Sequence, residues 1–154
     1  MRFSSIVGIF TVMLTLVTGL VFAEYIIDDS KNMGYLFVLS GTSGSLEGDT
    51  LTLNGVPNVI YFSDRPARKA GHMSLSNFIE MWDKGVDSFK ADPPNATLSV
   101  LTKEGAKNVV VELRSVEQKS GSVVFNVAVL EGKLSESFKI SSLYIDSKII
   151  GIDL

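Results

Sequence analysis

His72 is the one imidazole of the 154-residue chain, and it stands in a stretch, Tyr61 to Leu98, that also holds the one tryptophan and three of the four prolines. Within it Ser63-Asp64-Arg65-Pro66 is followed by Arg68, Lys69 and Gly71-His72. Two chemistries suit these residue types. The first is anion binding. Arg65, Arg68 and His72, gathered near backbone N–H groups at a helix N-terminus, would offer a negative ligand charge, dipole and hydrogen bonds together. The second is hydrolysis, with His72 as acid or base and Asp64 or Asp92 orienting it. Ser63, His72 and either aspartate can be assembled into a nucleophilic set on paper, but no Gly-x-Ser-x-Gly elbow accompanies them. Structural roles compete with both: Asp64 can cap the turn or pair with Arg65, and His72 can hold a carbonyl. A lone His without a second His or Cys makes no recognisable metal set.

A second polar group follows, comprising Asp83, Asp87, Asp92 and Asn95, with Pro93-Pro94 stiffening the approach to the next strand. Oxygen donors of this kind suit Ca²⁺, and Asp83, Asp87 and Asp92 are the candidate ligands, but their spacing does not follow the twelve-residue EF-hand loop. Turn and cap roles are the plainer use of these acids. Asn95-Ala96-Thr97 has the form of a glycosylation acceptor. Carboxylate pairs for glycoside chemistry could be drawn from Glu80, Asp83, Asp87 and Asp92, although charges opposite an apolar helix face usually form its solvated side.

Between the two groups the spacing predicts one helix, over 74–84. Ser74 is a fitting N-cap; Leu75, Phe78, Ile79 and Trp82 then fall at i, i+3, i+4 and i+7 on one face, and Gly85 suits a left-handed residue just past the end. Eleven residues do not hold a helix in water unaided, so that face must lie on other elements, and Trp82 reads as a core anchor rather than a stacking platform. The two loops that flank this helix then form the candidate site: Asp64, Arg65, Arg68 and His72 before it, and Asp87, Asp92 and Asn95 after it. Flanking one short helix, they are expected to lie on the same edge of the domain.

The rest of the chain has period two, the spacing of side chains that alternate between the faces of a strand. About seven strands are predicted: Tyr35 to Leu39, Thr50 to Leu53, Val59 to Phe62, Ala96 to Leu101, Val109 to Leu113, Val123 to Leu130 and Leu134 to Ile140. Leu143 to Ile145 is an eighth strand or an edge extension. Asn54-Gly55 suits a reversal that would pair the second and third as a hairpin. Lys103-Glu104-Gly105, Lys119-Ser120-Gly121 and Glu131-Gly132-Lys133 are short polar links, and short links imply an antiparallel meander. The fold class expected is mainly β, an antiparallel sandwich or partly open barrel with one amphipathic helix packed on it.

At the N-terminus Arg2 precedes an apolar run from Ile6 to Val21 that ends Val21-Phe22-Ala23, the pattern of a signal peptide cut after Ala23. An uncleaved N-terminal anchor is the alternative. The domains expected are therefore 1–23, signal peptide, and 24–154, one β-rich domain that is exported to periplasm or medium. A chain of that size buries roughly two thirds of its unfolded surface, enough for a core without staples. There are no cysteines, which removes disulfides, thiol catalysis and zinc–thiolate sites from consideration. The formal net charge of −3 leaves no basic stripe for phosphate backbones, so nucleic acid is not an expected partner. No cofactor is expected, and membrane contact is expected only through an uncleaved signal peptide.

Tyr61 to His72 (YFSDRPARKAGH), the helix with Phe78 and Trp82, Asp87-Ser88-Phe89 and Asp92-Pro93-Pro94-Asn95-Ala96 resemble, in this order, the motif of a family of small exported proteins from bacteria and some algae. The likeness runs from about Leu36 to Gly132. It implies an extracytoplasmic domain and marks these positions as the motif; it implies no activity or cofactor. The function expected is a non-enzymatic binding or interaction module for a small anion or a protein partner, using the loops that flank the helix. The alternatives are a hydrolase-like enzyme using His72, and a purely structural motif in which Arg65 and Asp92 or Asp87 form a buried charge network.

Overall fold

The computed structural model describes residues 34–65, 68–85 and 88–147; the predicted signal peptide, Asp87 and the residues after Ser147 lie outside them. The described chain is mainly β and antiparallel. Ten strands make one sheet: β1 (Tyr35–Gly41), β2 (Ser43–Glu47), β3 (Thr50–Asn54), β4 (Val59–Ser63), β5 (Ala70–Met73), β6 (Asn95–Thr102), β7 (Gly105–Lys119), β8 (Ser122–Glu131), β9 (Ser137–Phe138) and β10 (Ser141–Ser147). One helix, α1 (Leu75–Met81), lies between β5 and β6. The strand order is β5-β4-β1-β10-β6-β7-β8-β3-β2-β9.

This order forces the sheet to curl. β1 is third in it and β2 ninth, six inter-strand steps apart, which a flat sheet would spread over about 29 Å at the usual spacing. Yet only Thr42 separates Gly41 from Ser43, a reach of about 7 Å at most. The two ends of the sheet must therefore meet at that corner. β1–β2 and β3–β4 are in effect the two arms of one long hairpin, β2 pairing β3 and β1 pairing β4. The hairpin bends where Ser40 to Thr42 face the longer segment Gly55 to Asn58, and the Thr42 N–H donates to the Asn54 carbonyl at 2.9 Å. Among the described residues no ladder joins β5 to β9, so the sheet folds over on itself without closing into a barrel.

The enclosed face is built by alternation. Tyr35, Phe37 and Leu39 of β1, Leu51 and Leu53 of β3, Leu98 and Val100 of β6, Val109, Val111 and Leu113 of β7, Val123, Phe125 and Val127 of β8, and Leu143 and Ile145 of β10 are all buried. Helix α1 enters this concavity with Leu75, Phe78 and Met81 inward. Phe78 lies 5.5 Å from Phe37 of β1 and Trp82 lies 6.1 Å from Phe125 of β8, ring centre to ring centre. The helix thus ties together two strands that stand four places apart in the sheet. Each fully buried large apolar side chain contributes about 1.5–3 kcal/mol, so these aromatic contacts help to hold the curl.

Ser74 caps the helix as expected, its Oγ accepting the Asn77 N–H at 3.1 Å, and Gly85 has the expected positive φ of 91°. The helix itself is shorter than the predicted span. It ends at Met81, with Trp82 as its C-cap, and the chain continues in a turn that the Lys84 N–H closes on the Met81 carbonyl.

Three other expectations are corrected and one open choice is settled. There are ten strands among the described residues rather than about seven: Ser43–Glu47 and Ala70–Met73 carry too few apolar residues to announce themselves, and β10 is a full strand of its own. Thr50–Leu53 and Val59–Phe62 do not pair; Asn54-Gly55 bends one arm of the long hairpin, and each strand takes its partner from the other arm. The predicted strand Leu134–Ile140 reduces to Ser137–Phe138, where Gly44 leaves room for the Phe138 ring. Of the two readings of Leu143–Ile145 the strand holds: it belongs to β10, which is interior rather than an edge, lying between β1 and β6 with its alternate residues Ser141, Leu143, Ile145 and Ser147 all buried.

Candidate functional site

The first flanking loop is the turn of the β4–β5 hairpin. Ser63 and Lys69 close it: the Ser63 N–H donates to the Lys69 carbonyl at 2.8 Å, and the Lys69 N–H donates to Ser63 Oγ at 2.7 Å. Inside that ring the Arg68 N–H donates to the Asp64 carbonyl at 3.2 Å, and Arg68 takes a left-handed φ of 51°. A residue with a Cβ pays strain there, so the turn is held by its hydrogen bonds rather than by local preference. The Asp64 carboxylate folds over Gly34 at the start of β1, whose carbonyl accepts the Asp64 N–H at 3.0 Å.

This turn surrounds an open depression of about 410 Å³ lined by Phe62, Ser63, Arg65, Arg68, Lys69 and Ala70. Arg65, Arg68 and Lys69 are all exposed. None of them belongs to an ion pair among the described residues, whose pairs are Lys84–Glu80, Lys90–Asp83, Arg114–Glu112 and Lys119–Glu117. Three cations therefore converge on one concavity with their charge uncompensated by a paired carboxylate. Lys69 was not among the expected site residues; its place after Arg68 is the only signal in the sequence.

His72 is elsewhere. Gly71-His72 does not form a loop into the helix but lies in the edge strand β5, opposite Tyr61 and Ile60. Gly71 is required by that approach, since a Cβ there would meet Tyr61 Oη at 2.7 Å. The imidazole is exposed on the outer face of the sheet. Because β5 is antiparallel to β4, it carries the chain from the basic turn toward the opposite end of the sheet, where α1 starts. Arg65 and Arg68 are thus separated from the helix N-terminus by the length of β5, about 13 Å at the rise of a strand. Asp64 lies four residues along β4 from Ile60, the partner of His72, so the same distance keeps that carboxylate from the imidazole.

The second flanking loop returns to the end that holds the basic turn. Strands β4, β1, β10 and β6 alternate in direction, which puts the end of β4 and the start of β6 at one end of the sheet, three strand steps or about 14 Å apart. Asp92 and Asn95 are exposed there. Arg65 and Asp92, both exposed, do not form a buried charge pair. Asp83 lies 3.3 Å from Lys90 Nζ, and among the described residues no three His, Cys, Asp or Glu side chains cluster in a way that could hold a metal ion. The rest of this loop packs. Phe89 is buried, its ring 4.9 Å from Trp82. Ser88 is buried as well, and its carbonyl accepts the Ala91 and Asp92 N–H groups in a tight turn. Pro94, which has no N–H to place in a ladder, immediately precedes β6 and accepts the Leu113 N–H through its carbonyl at 2.9 Å.

A second depression, of about 270 Å³, lies between α1 and β7 and is lined by Ile79, Trp82, Asp83, Lys90, Arg114, Ser115 and Val116. Sequence reasoning missed it. Its signal was a break in alternation: Leu113 is buried, and the next inward residue is Val116 rather than Ser115, because the β7–β8 register shifts between Leu113 and Ser115. Such a bulge re-aims side chains, here Arg114, which pairs with Glu112 at 3.2 Å. The buried Trp82 Nε1 has no hydrogen-bond partner among the described residues.

Comparison with protein-family models, with curated proteins and with solved structures gives no match to this chain, so the resemblance stands on its motif residues alone.

Proposed function

We propose that this chain is an exported, non-enzymatic binding module that takes an anionic ligand at the β4–β5 turn. The observation that carries the reading is the convergence of Arg65, Arg68 and Lys69 on the depression beside Phe62. Arginine matches carboxylate and phosphate oxygens with paired donors, and the concavity is within the size range of small-ligand sites. The closed Ser63–Lys69 ring supports it by fixing where those side chains leave the backbone. Asp92 and Asn95, at the same end of the sheet, form the rim of this reading rather than its centre. His72 is left out, because its strand carries it away from the turn and from Asp64.

The test is thermal unfolding of the Glu24 to Leu154 chain, which contains every ladder and core residue described, with phosphate, sulfate and mononucleotides. An anion at a hundred times its dissociation constant stabilises by about 2.7 kcal/mol. The expected result is a raised midpoint that Arg65→Ala removes while the anion-free midpoint stays in place. No shift with any of these anions would overturn the reading.

A further inference from the structure

Phe62, at the edge of the basic depression, also belongs to the outer face of the sheet, and that face is apolar around it. Phe62 stands opposite Leu36 and Ile60 opposite Val38 across β4 and β1, and Val38 stands opposite Tyr144 of β10. All five share one face by alternation, the face turned away from the core. Phe62 is 47% exposed, Tyr144 40% and Leu36 37%. Three adjacent strands thus show water a continuous apolar surface with two aromatic rings, and the cations Arg65, Arg68 and Lys69 stand at its end.

We infer that this face docks on a lipid surface bearing anionic headgroups, with the β4–β5 turn holding the headgroups and Phe62 and its neighbours entering the boundary beneath them. The inference rests on the anion-binding reading of the turn. An exposed apolar face bordered by cations is the composition of interfacial binding: apolar burial and attraction to anionic lipid add, and neither suffices alone. The chain carries a formal net charge of −3, so the attraction has to be local, and the turn is where positive charge is concentrated next to apolar surface. Two acids lie close by: Asp64, folded over Gly34, and Asp146, opposite Leu36 on β10. Asp146 limits the contact at β10, whereas Asp64 belongs to the turn itself.

Two carboxylates stand on or beside this face, Asp146 opposite Leu36 and Asp64 at the turn, so a second copy of this chain is the competing occupant; a dimer in sedimentation without vesicles, dissociated by Leu36→Ser with Tyr144→Ser, would overturn the inference. The entry of the chain fits a membrane-facing end as well. Gly34 is bonded to Asp64 beside the turn, so a chain tethered through its N-terminal residues would present this end first.

Flotation of the Glu24 to Leu154 chain, which lacks the apolar Ile6 to Val21 run that would itself partition, tests the inference. The vesicles are pure phosphatidylcholine, or phosphatidylcholine with about a third phosphatidylglycerol. The expected result is binding to the anionic vesicles alone, weakened roughly thirtyfold by Arg65→Gln with Arg68→Gln, at about fivefold for each cation removed from such a surface. Leu36→Ser with Tyr144→Ser, at exposed positions that do not line the basic depression, is expected to abolish flotation while leaving the stabilisation by free phosphate or sulfate intact. Trp82, buried and the only tryptophan, reports through its emission that each variant is folded. Stabilisation by free anions without flotation would overturn the lipid inference and leave the anion site standing. Flotation equal on neutral vesicles, or untouched by Leu36→Ser with Tyr144→Ser, would also overturn it, and absence of both responses would overturn both readings.

Discussion

The indole of Trp82 and the ring of Phe89 lie 4.9 Å apart, closer than any other aromatic pair among the described residues. They join the end of α1 to the turn that follows it, and Phe89 in turn meets Phe37 and Phe78. A seven-residue helix has little stability of its own, so this contact belongs to the fold. Phe89→Ala is expected to cost about 3–5 kcal/mol, measured by urea unfolding, with red-shifted Trp82 emission. A loss under about 1 kcal/mol would show that α1 is held by other contacts.

Capping is the other device that holds the helix. Ser74 Oγ accepts the Asn77 N–H, and Ser74→Ala leaves that donor to water. The expected loss is about 1 kcal/mol, with Ser74→Asp close to the parent. Equal midpoints for Ala and Asp would mean that the cap contributes nothing.

At Gly71 the constraint is a neighbour. A methyl group there would meet Tyr61 Oη at 2.7 Å, and Tyr61 packs edge-on against Tyr35 at 6.3 Å. Gly71→Val is expected to destabilise by about 1–3 kcal/mol through overpacking. Combination with Tyr61→Ala should recover part of that loss, and strict additivity of the two would argue against the clash.

Arg68 allows charge to be separated from stability. Its φ of 51° strains a side chain by about 1–2 kcal/mol, and glycine relieves this at an entropic cost of about 0.5–1 kcal/mol. Arg68→Gly should therefore leave the midpoint unchanged or raise it by up to about 1 kcal/mol, while weakening any anion-induced shift. A strongly lowered midpoint would mean that the guanidinium is part of the fold.

The His72 imidazole is exposed on the outer face of the sheet. His72→Ala is expected to change stability by no more than about 0.5 kcal/mol and to leave the anion-induced shift intact. A large loss of either would return the imidazole to the structure or to the site.

Much of the local structure was legible because it is written in neighbouring residues. The period of two announced β1, β6, β7 and β8, and Ser74, the apolar stripe and Gly85 announced the helix. The core role of Trp82 followed from that stripe. Strands β2 and β5 were not legible, and β9 only as part of a longer predicted strand, since their pairing depends on partners elsewhere in the chain; β5 exists because Tyr61 can lie across Gly71. The candidate site was legible in part. Arg65 and Arg68 do face one concavity, but their grouping with His72 assumed that nearness in sequence is nearness in space.

By itself the sequence determined the residue types, the faces that must be buried and the places where the chain turns or caps, since these depend on contacts a few residues apart. Only the tertiary structure decided which strands meet, that Asn54-Gly55 bends an arm instead of reversing it, and that Arg65 and Arg68 stand at one end of the sheet with His72 toward the other. The reason is geometric. An extended strand such as β5 moves its ends apart by about 3.3 Å per residue, whereas the pairing of β4, β1 and β10 brings Phe62, Leu36 and Tyr144 together from three separate segments, and no short-range pattern records either.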